Sequence, residues 1–341
     1  MSSWGNDSVT LTPDAIPQHG MIADALSWAS SVLADSGIDE ARLDAELLLA
    51  YALGVRRGEL ALRDEMAADE LSRFVQLIQR RRQREPVPYI IGTQEFMGLT
   101  FRVTPDVLIP RPETERLVEA TVEILRSPES RNGLRNGQNA RRLADIGTGS
   151  GAIAISLARL LPDVQVYATD ISEAALAVAR ENAERLGVRE RVAFARGNCL
   201  QPLRQWGLQG QLQAMVSNPP YIPHSDVDSL PPEVSRYEPR IAWDGGADGL
   251  AFYRCLAAEA AEFLCPDGFI ACEVGIHQSR AVCELFRRAG FARQEVIKDY
   301  GGIERVIIAR GLGNEDVETI ALCHCPIPRF PNAPHSRRPQ P

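Results

Sequence analysis

The stretch Arg142-Leu143-Ala144-Asp145-Ile146-Gly147-Thr148-Gly149-Ser150-Gly151-Ala152 decides the fold. Its first half, 142–146, is a short apolar run that reads as a strand. Ala152 opens an apolar stretch to Leu161 that reads as a helix. Glycines between the two let the chain turn sharply, let backbone approach a ligand, and expose the free N–H groups of a helix start. Taken loosely, the same spacing fits a dinucleotide loop, with Ala152 in the last small position. The alternation continues downstream. Strands are expected at 164–169, 191–195, 213–217, 269–274 and 304–309. Helices are expected at 172–186, with Ser172 as N-cap, and at 249–264 and 279–289. Such alternation predicts an α/β fold, an open and mostly parallel sheet with helices on both faces.

Upstream the period changes. Ile22, Leu26, Ala29 and Leu33 fall on one helical face, and Gly37 ends it. Leu43, Leu47 and Ala50 repeat the period up to Gly54. Leu71, Phe74, Val75 and Ile78 form a third stripe, followed by Arg80, Arg81, Arg82 and Arg84. The arginine run reads as the solvated face and C-terminal end of a helix, where cations suit the dipole. Contact with an acidic partner or RNA is the other reading. Pro86, Pro88, Gly92 and Gly98 punctuate short runs, and Phe101-Arg102-Val103 alternates, as in a β-hairpin. The expected organisation is a flexible arm at 1–19, a small all-helical domain at 20–85, a β-hairpin linker at 86–110 and the α/β domain at 111–311. A disordered tail, rich in Pro and Arg, follows at 312–341.

Composition narrows the classes. The 341 residues suit two domains, and 45% apolar with 24% charged residues is ordinary for a soluble protein with a core. A net charge of -8 argues against a stand-alone nucleic-acid binder, whose phosphate contacts need a basic surface. Seven cysteines, an odd number and mostly in apolar stretches, suggest free thiols in a reducing compartment. Cys323-His324-Cys325 lacks a second ligand pair at zinc spacing, so no metal is expected. No leader pattern and no apolar run of ~20 residues is visible, which predicts a cytoplasmic protein without a membrane segment.

Two further motifs carry chemistry. Asp170 stands at the end of the second strand, where an acidic residue can accept both hydroxyls of a ribose. Nicotinamide enzymes and methyltransferases share that device. Asn218-Pro219-Pro220-Tyr221 ends the fourth strand, at the edge where open α/β sheets bind ligands. Two prolines in a row fix the chain and leave carbonyls free. The Asn218 side-chain oxygen and the Pro219 carbonyl can both accept from one NH2 group, and Tyr221 offers a flat face. Together they orient a planar, weakly nucleophilic nitrogen.

A glycine-rich first loop, an acidic second strand end and an Asn-Pro-Pro-Tyr fourth strand end resemble the class I methyltransferases that modify exocyclic or amide nitrogens. Further stretches are similar to the release-factor glutamine methyltransferases, the PrmC or HemK family. They include Glu85-Pro86-Val87-Pro88-Tyr89, Leu108-Ile109-Pro110-Arg111-Pro112-Glu113-Thr114-Glu115, Tyr237-Glu238-Pro239-Arg240, Gly245-Gly246-Ala247-Asp248-Gly249-Leu250 and Tyr300-Gly301-Gly302-Ile303-Glu304-Arg305. Asp44-Ala45-Glu46-Leu47-Leu48 matches the family's helical domain, and the likeness covers about 20–310.

That resemblance implies a helical domain, a hairpin linker and a seven-stranded Rossmann-like methyltransferase sheet with an antiparallel last strand. It implies S-adenosyl-L-methionine as cofactor and S-adenosyl-L-homocysteine as product. The substrate would be the glutamine of the Gly-Gly-Gln motif in peptide chain release factors, with no stable nucleic-acid partner. Gly147, Thr148, Gly149, Ser150 and Gly151 would cradle the methionine part, Asp170 the ribose, and Asn198 and Cys199 the adenine. Asn218, Pro219, Pro220 and Tyr221 would hold the target amide, with Asn218 also beside the cofactor. Pro110 to Glu113 would line the cofactor entrance. One departure stands out: Gly197-Asn198-Cys199 replaces the family's acidic residue followed by an aromatic. The alternatives are a ribosomal-protein glutamine, an adenine or guanine amino group, a nicotinamide oxidoreductase, which leaves 218–221 without a role, and an inactive adaptor.

Overall fold

The computed structural model describes residues 20–127 and 140–312. The expected arm, the tail beyond 312 and Cys323-His324-Cys325 lie outside the described residues. The chain divides into two compact units, Met1–Gly92 and Thr93–Pro341.

The first unit holds α1 (Ile22–Asp35), α2 (Ala41–Leu53), α3 (Ala68–Arg82) and α4 (Val87–Ile91). Leu26, Ala29 and Leu33 of α1 pack on Phe74 and Ile78 of α3 within one core. On α2 the buried face is Ala45, Leu48, Leu49 and Ala52, displaced from the expected Leu43 and Leu47, both of which are only partly buried. Asp44 joins that buried face because it has a partner: Arg81 donates to its carboxylate at 2.7 Å, and both side chains are nearly covered. Arg80 pairs with Glu85, and Arg84 donates to the Ser36 and Gly37 carbonyls. Arg80, Arg81 and Arg82 form the last turn of α3 as expected, with Arg80 exposed but Arg81 buried. The arginine run ties the end of α3 to α2 and to the turn after α1. Pro86 and Pro88 open α4, since proline is tolerated at a helix start, so the helical unit runs past residue 85.

The second unit begins with the hairpin β1 (Thr93–Phe96) and β2 (Leu99–Arg102), turned by Met97 and Gly98 at positive φ. It is shorter than the expected 86–110. Then follow α5 (Pro112–Arg126), β3 (Arg141–Ile146), α6 (Ala152–Leu160), β4 (Val164–Asp170), α7 (Glu173–Arg185), β5 (Val192–Arg196), α8 (Gln201–Gln205) and β6 (Leu212–Ser217). After these come α9 (Pro232–Tyr237), α10 (Ala251–Phe263), β7 (Leu264–Glu273), α11 (Ser279–Arg288), β8 (Phe291–Lys298) and β9 (Glu304–Leu312). The seven-stranded sheet has the order β5-β4-β3-β6-β7-β9-β8, and only β9 runs antiparallel to its neighbours.

Strand residues alternate between two cores, as period-2 geometry requires. Leu143, Val216, Ala271 and Ile308 face one side with α5 and α6. Ile146, Met215, Cys272 and Ile307 face the other with α10 and α11. This is the class I methyltransferase fold. β8 was not expected as a strand, because Phe-Ala-Arg-Gln-Glu-Val-Ile-Lys buries only Phe291 fully; it is a charged edge strand.

Candidate active site

The carboxyl ends of β3, β4, β5 and β6 lie level, with Ile146 opposite Thr169, Asp170 opposite Arg196 and Asp145 opposite Val216. The chain leaves β3 toward β4 and β5 and returns on the other side through β6. The crevice at this reversal of strand order is where open α/β sheets bind ligands. A cleft opens there, lined by Gly147, Gly149, Asp170, Asn198, Cys199, Asn218 and Pro220 among others.

The glycine loop divides by role. Gly147 (φ 77°) and Gly149 (φ 54°) are left-handed, and a Cβ on either would meet nothing within 4 Å. Their bare backbone forms the cleft wall. Gly151 (φ 82°) serves packing, since its Cβ would come within 2.8 Å of Ile155 Cδ1 and 3.2 Å of Ala179 Cβ. Thr148 and Ser150 are buried and do not line the cleft. The Thr148 hydroxyl donates to Asp145 Oδ2 at 2.6 Å, and the Ser150 carbonyl accepts from Asn182 Nδ2 at 2.9 Å. Of the five residues expected at the methionine part, Gly147 and Gly149 line the cleft and Thr148, Ser150 and Gly151 pack behind them.

Asp170 holds the loop from the second strand. Its Oδ2 accepts from the Gly149 N–H and its Oδ1 from the Ser172 N–H, both at 2.9 Å. Burial pushes its pKa up, opposed by those N–H donors. Asp145 is buried deeper, and burial raises it to about 7 against donation from Thr148 and the Ala154 N–H. Its Oδ1 has no hydrogen-bond partner.

Cys199 meets Cys255 sulfur to sulfur, while Cys265, Cys272 and Cys283 stand apart. The pair is 56 positions apart and meets because α10 packs beside the loop after β5. The same helix brings Phe252 to the cleft wall. An aromatic ring therefore lines the same cleft as Asn198 and Cys199, from a segment that sequence spacing gave no reason to connect with them.

Asn218 lies in the cleft wall with its Nδ2 donating to Thr114 Oγ1 at 3.0 Å. Thr114 in turn donates to Glu273 Oε2 at 2.6 Å. Burial raises Glu273 to about 7 despite the Thr114 hydrogen bond and the positive charge of Arg305. Pro219 and Tyr221 are not among the cleft-lining residues. Tyr221 packs on the α10 side of the sheet, where burial and the Glu273 charge push its hydroxyl pKa up. Behind the loop, Ile222 N–H donates to the Trp243 carbonyl at 2.9 Å and Gly245 N–H to the Ile222 carbonyl at 2.8 Å. Gln278 Nε2 donates to the Tyr221 carbonyl at 2.8 Å. His224, just beyond, pairs its Nε2 with Asp244 at 2.9 Å.

Pro110 to Glu113 do not line the cleft; Asp106, Val107 and Leu108 do. Arg111 instead forms an ion pair with the buried Glu238 at 2.6 Å, and Glu238 also accepts from the Ile109 N–H. The Pro-Arg-Pro-Glu and Tyr-Glu-Pro-Arg stretches are thus two halves of one clamp. Thr114, Glu273, Phe252 and Gln278 were missed by sequence reasoning. Only Thr114 lay inside a motif that could have drawn attention to it.

Residues 24–92 match the family described as the PrmC N-terminal domain, and 132–230 match the methyltransferase small domain. A release factor glutamine methyltransferase of Moorella thermoacetica is 48% identical, over 84% of this chain and 96% of its own length. One of Geobacter sulfurreducens is 43% identical, over 86% and 98%. The chain belongs to the release factor glutamine methyltransferase family. A third relative of that name, from Caulobacter vibrioides, is 40% identical over 83% of this chain and 94% of its own. The family makes this chain a methyltransferase, and its class implies S-adenosylmethionine as the methyl donor. No helix among the described residues is long and apolar enough to cross a membrane.

Proposed function

We propose that the chain transfers a methyl group from S-adenosylmethionine to the side-chain amide nitrogen, N5, of the glutamine in the Gly-Gly-Gln motif of peptide chain release factors, with S-adenosylhomocysteine as the other product. The observation that carries this is the fixed amide of Asn218. Its NH2 end is committed to Thr114, so its oxygen is the end left to accept from a ligand.

The cleft suits the donor molecule. The open backbone at Gly147 and Gly149 allows close approach of the methionine part. Asp170 keeps spare lone pairs for the ribose hydroxyls. Asn198 and Phe252 line the cleft, where they would flank the adenine. When bound, S-adenosylmethionine supplies an electrophilic methyl on a sulfonium.

The protein's task is to aim the nitrogen. An amide lone pair is delocalised, so the nitrogen attacks only when held with that lone pair directed at the methyl. The Asn218 oxygen and the Pro219 carbonyl would accept from the two N–H bonds of the target amide. Both acceptors gain strength as positive charge grows on nitrogen, which stabilises the transition state over the ground state. Positioning of this type contributes up to ~7–11 kcal/mol in the best cases. The excess proton leaves the methylated nitrogen for water after transfer, and no general base is required. The substrate places the enzyme in the cytoplasm, where release factors act.

The test offers labelled S-adenosylmethionine with a release factor, ribosomal proteins, DNA and RNA in separate reactions, and maps the labelled residue. Label on the release-factor glutamine is expected. Label confined to a ribosomal-protein glutamine or to a nucleic-acid amino group would replace this function with one of the alternatives.

A further inference from the structure

We infer that Thr114 and Glu273 are positioning residues, a hydroxyl–carboxylate relay that fixes which end of the Asn218 amide meets the substrate. This rests on the proposed role of Asn218 as acceptor for the target amide. A primary amide can turn over by half a rotation about its last bond, exchanging oxygen for NH2. Turned over, Asn218 would present a donor to a target that is itself a donor, and the reaction would lose its acceptor.

The network removes that freedom. Thr114 has one hydroxyl proton, and it goes to Glu273 Oε2 at 2.6 Å. Only lone pairs remain for Asn218, so Thr114 can accept from Nδ2, at 3.0 Å, and cannot donate to Oδ1. Thr114 and Glu273 are 4% and 1% exposed, so water does not compete for these bonds. Three separate elements build the relay: the first turn of α5, the last residue of β7 and the residue after β6. Glu273 is itself fixed by pairing with Val306 of β9 and by Tyr253, whose hydroxyl donates to the Glu273 carbonyl at 2.8 Å.

The polarity depends on the charge of Glu273. A protonated carboxyl could donate to Thr114, freeing the threonine proton for Asn218 Oδ1 and favouring the reversed amide. Burial lifts this carboxyl to about 7, with Thr114, Arg305 and Arg111 opposing and Glu113 adding to the rise. Tyr221, Tyr253 and Cys272 are the other titratable groups around it, and burial pushes all three up, away from neutrality.

The experiment measures kcat on a release factor and S-adenosylhomocysteine affinity for wild type, Thr114→Ser and Thr114→Val. Wild type must first methylate the glutamine; if it does not, the proposed function has failed, whatever the variants do. Given that activity, Thr114→Val should lose at least about tenfold in kcat while keeping product affinity. Thr114→Ser, which restores the hydroxyl, should recover most of it. Wild-type kcat in Thr114→Val, or parallel loss of kcat and cofactor affinity in both variants, overturns the relay. Should Thr114→Val not fold, the pH profile decides. Wild-type kcat should fall as pH drops through about 7, and Glu273→Gln should abolish that limb. An unchanged limb in Glu273→Gln refutes the relay.

Discussion

Gly245→Ala should cripple turnover through steric pressure on the substrate loop. Gly245 does not have positive φ, so alanine could adopt its backbone conformation, and the only objection is space. The added Cβ would lie 2.7 Å from both Cα and C of Tyr221 and 2.8 Å from Cα of Gly249. These are backbone atoms that cannot rotate aside. Overfilling a packed site costs ~1–3 kcal/mol. Relief by moving the loop outward would break Gly245 N–H to Ile222 O and Ile222 N–H to Trp243 O, at about 0.5–1.5 kcal/mol each. The local loss is therefore about 2–6 kcal/mol, concentrated on the segment carrying Asn218. A displacement near 1 Å there is enough for a roughly hundredfold fall in kcat. The assay pairs steady-state methylation with hydrogen exchange at Ile222 and Gly245. Gly58→Ala, whose Cβ meets nothing within 4 Å, is the matched control. Wild-type kcat together with unchanged exchange protection in Gly245→Ala would refute the steric account.

Three other substitutions separate roles within the glycine loop and its supports. Gly149→Ala should weaken S-adenosylhomocysteine binding, read by calorimetry, because the methyl enters the cleft wall; its stability loss should stay near the ~1–2 kcal/mol of a left-handed alanine. Gly151→Ala should lose about 2–5 kcal/mol by adding the Ile155 and Ala179 contacts to that strain, read by urea unfolding. Equal effects on binding and stability in the two would contradict the division. Asp145 and Glu273 both have folded pKa values raised to about 7, so between their unfolded values and 7 the native state holds more protons. Their contribution to stability must then fall as pH rises through that window. Asp145→Asn should flatten the slope of urea midpoint against pH, and an unchanged slope would contradict the assignment.

Much of this was legible in the sequence because burial writes itself into strands covered on both faces. β3, β4 and β6 are short apolar runs ending in the residues of the cleft, and the glycine loop, Asp170 and Asn218 follow from their positions at those ends. β8 was not legible, since an exposed edge strand carries charge instead of an apolar pattern. The helix read from Leu43, Leu47 and Ala50 up to Gly54 is present, but its buried face is turned to include the paired Asp44, which no hydropathy pattern anticipates. Glycine spacing could not distinguish Gly149, open to the cleft, from Gly151, packed on α7. Nor could sequence join Thr114 to Glu273 across 159 positions, or Cys199 to Cys255 across 56. Both contacts are products of the sheet's crossover connections.

The central claim is that the Asn218 amide oxygen holds the target amide. Turnover of a release factor by Asn218→Ala, measured beside S-adenosylhomocysteine affinity, tests it most directly. A loss of about 10²–10³ in kcat with product affinity largely kept is expected. Unchanged turnover, or turnover and affinity lost together in proportion, would contradict it.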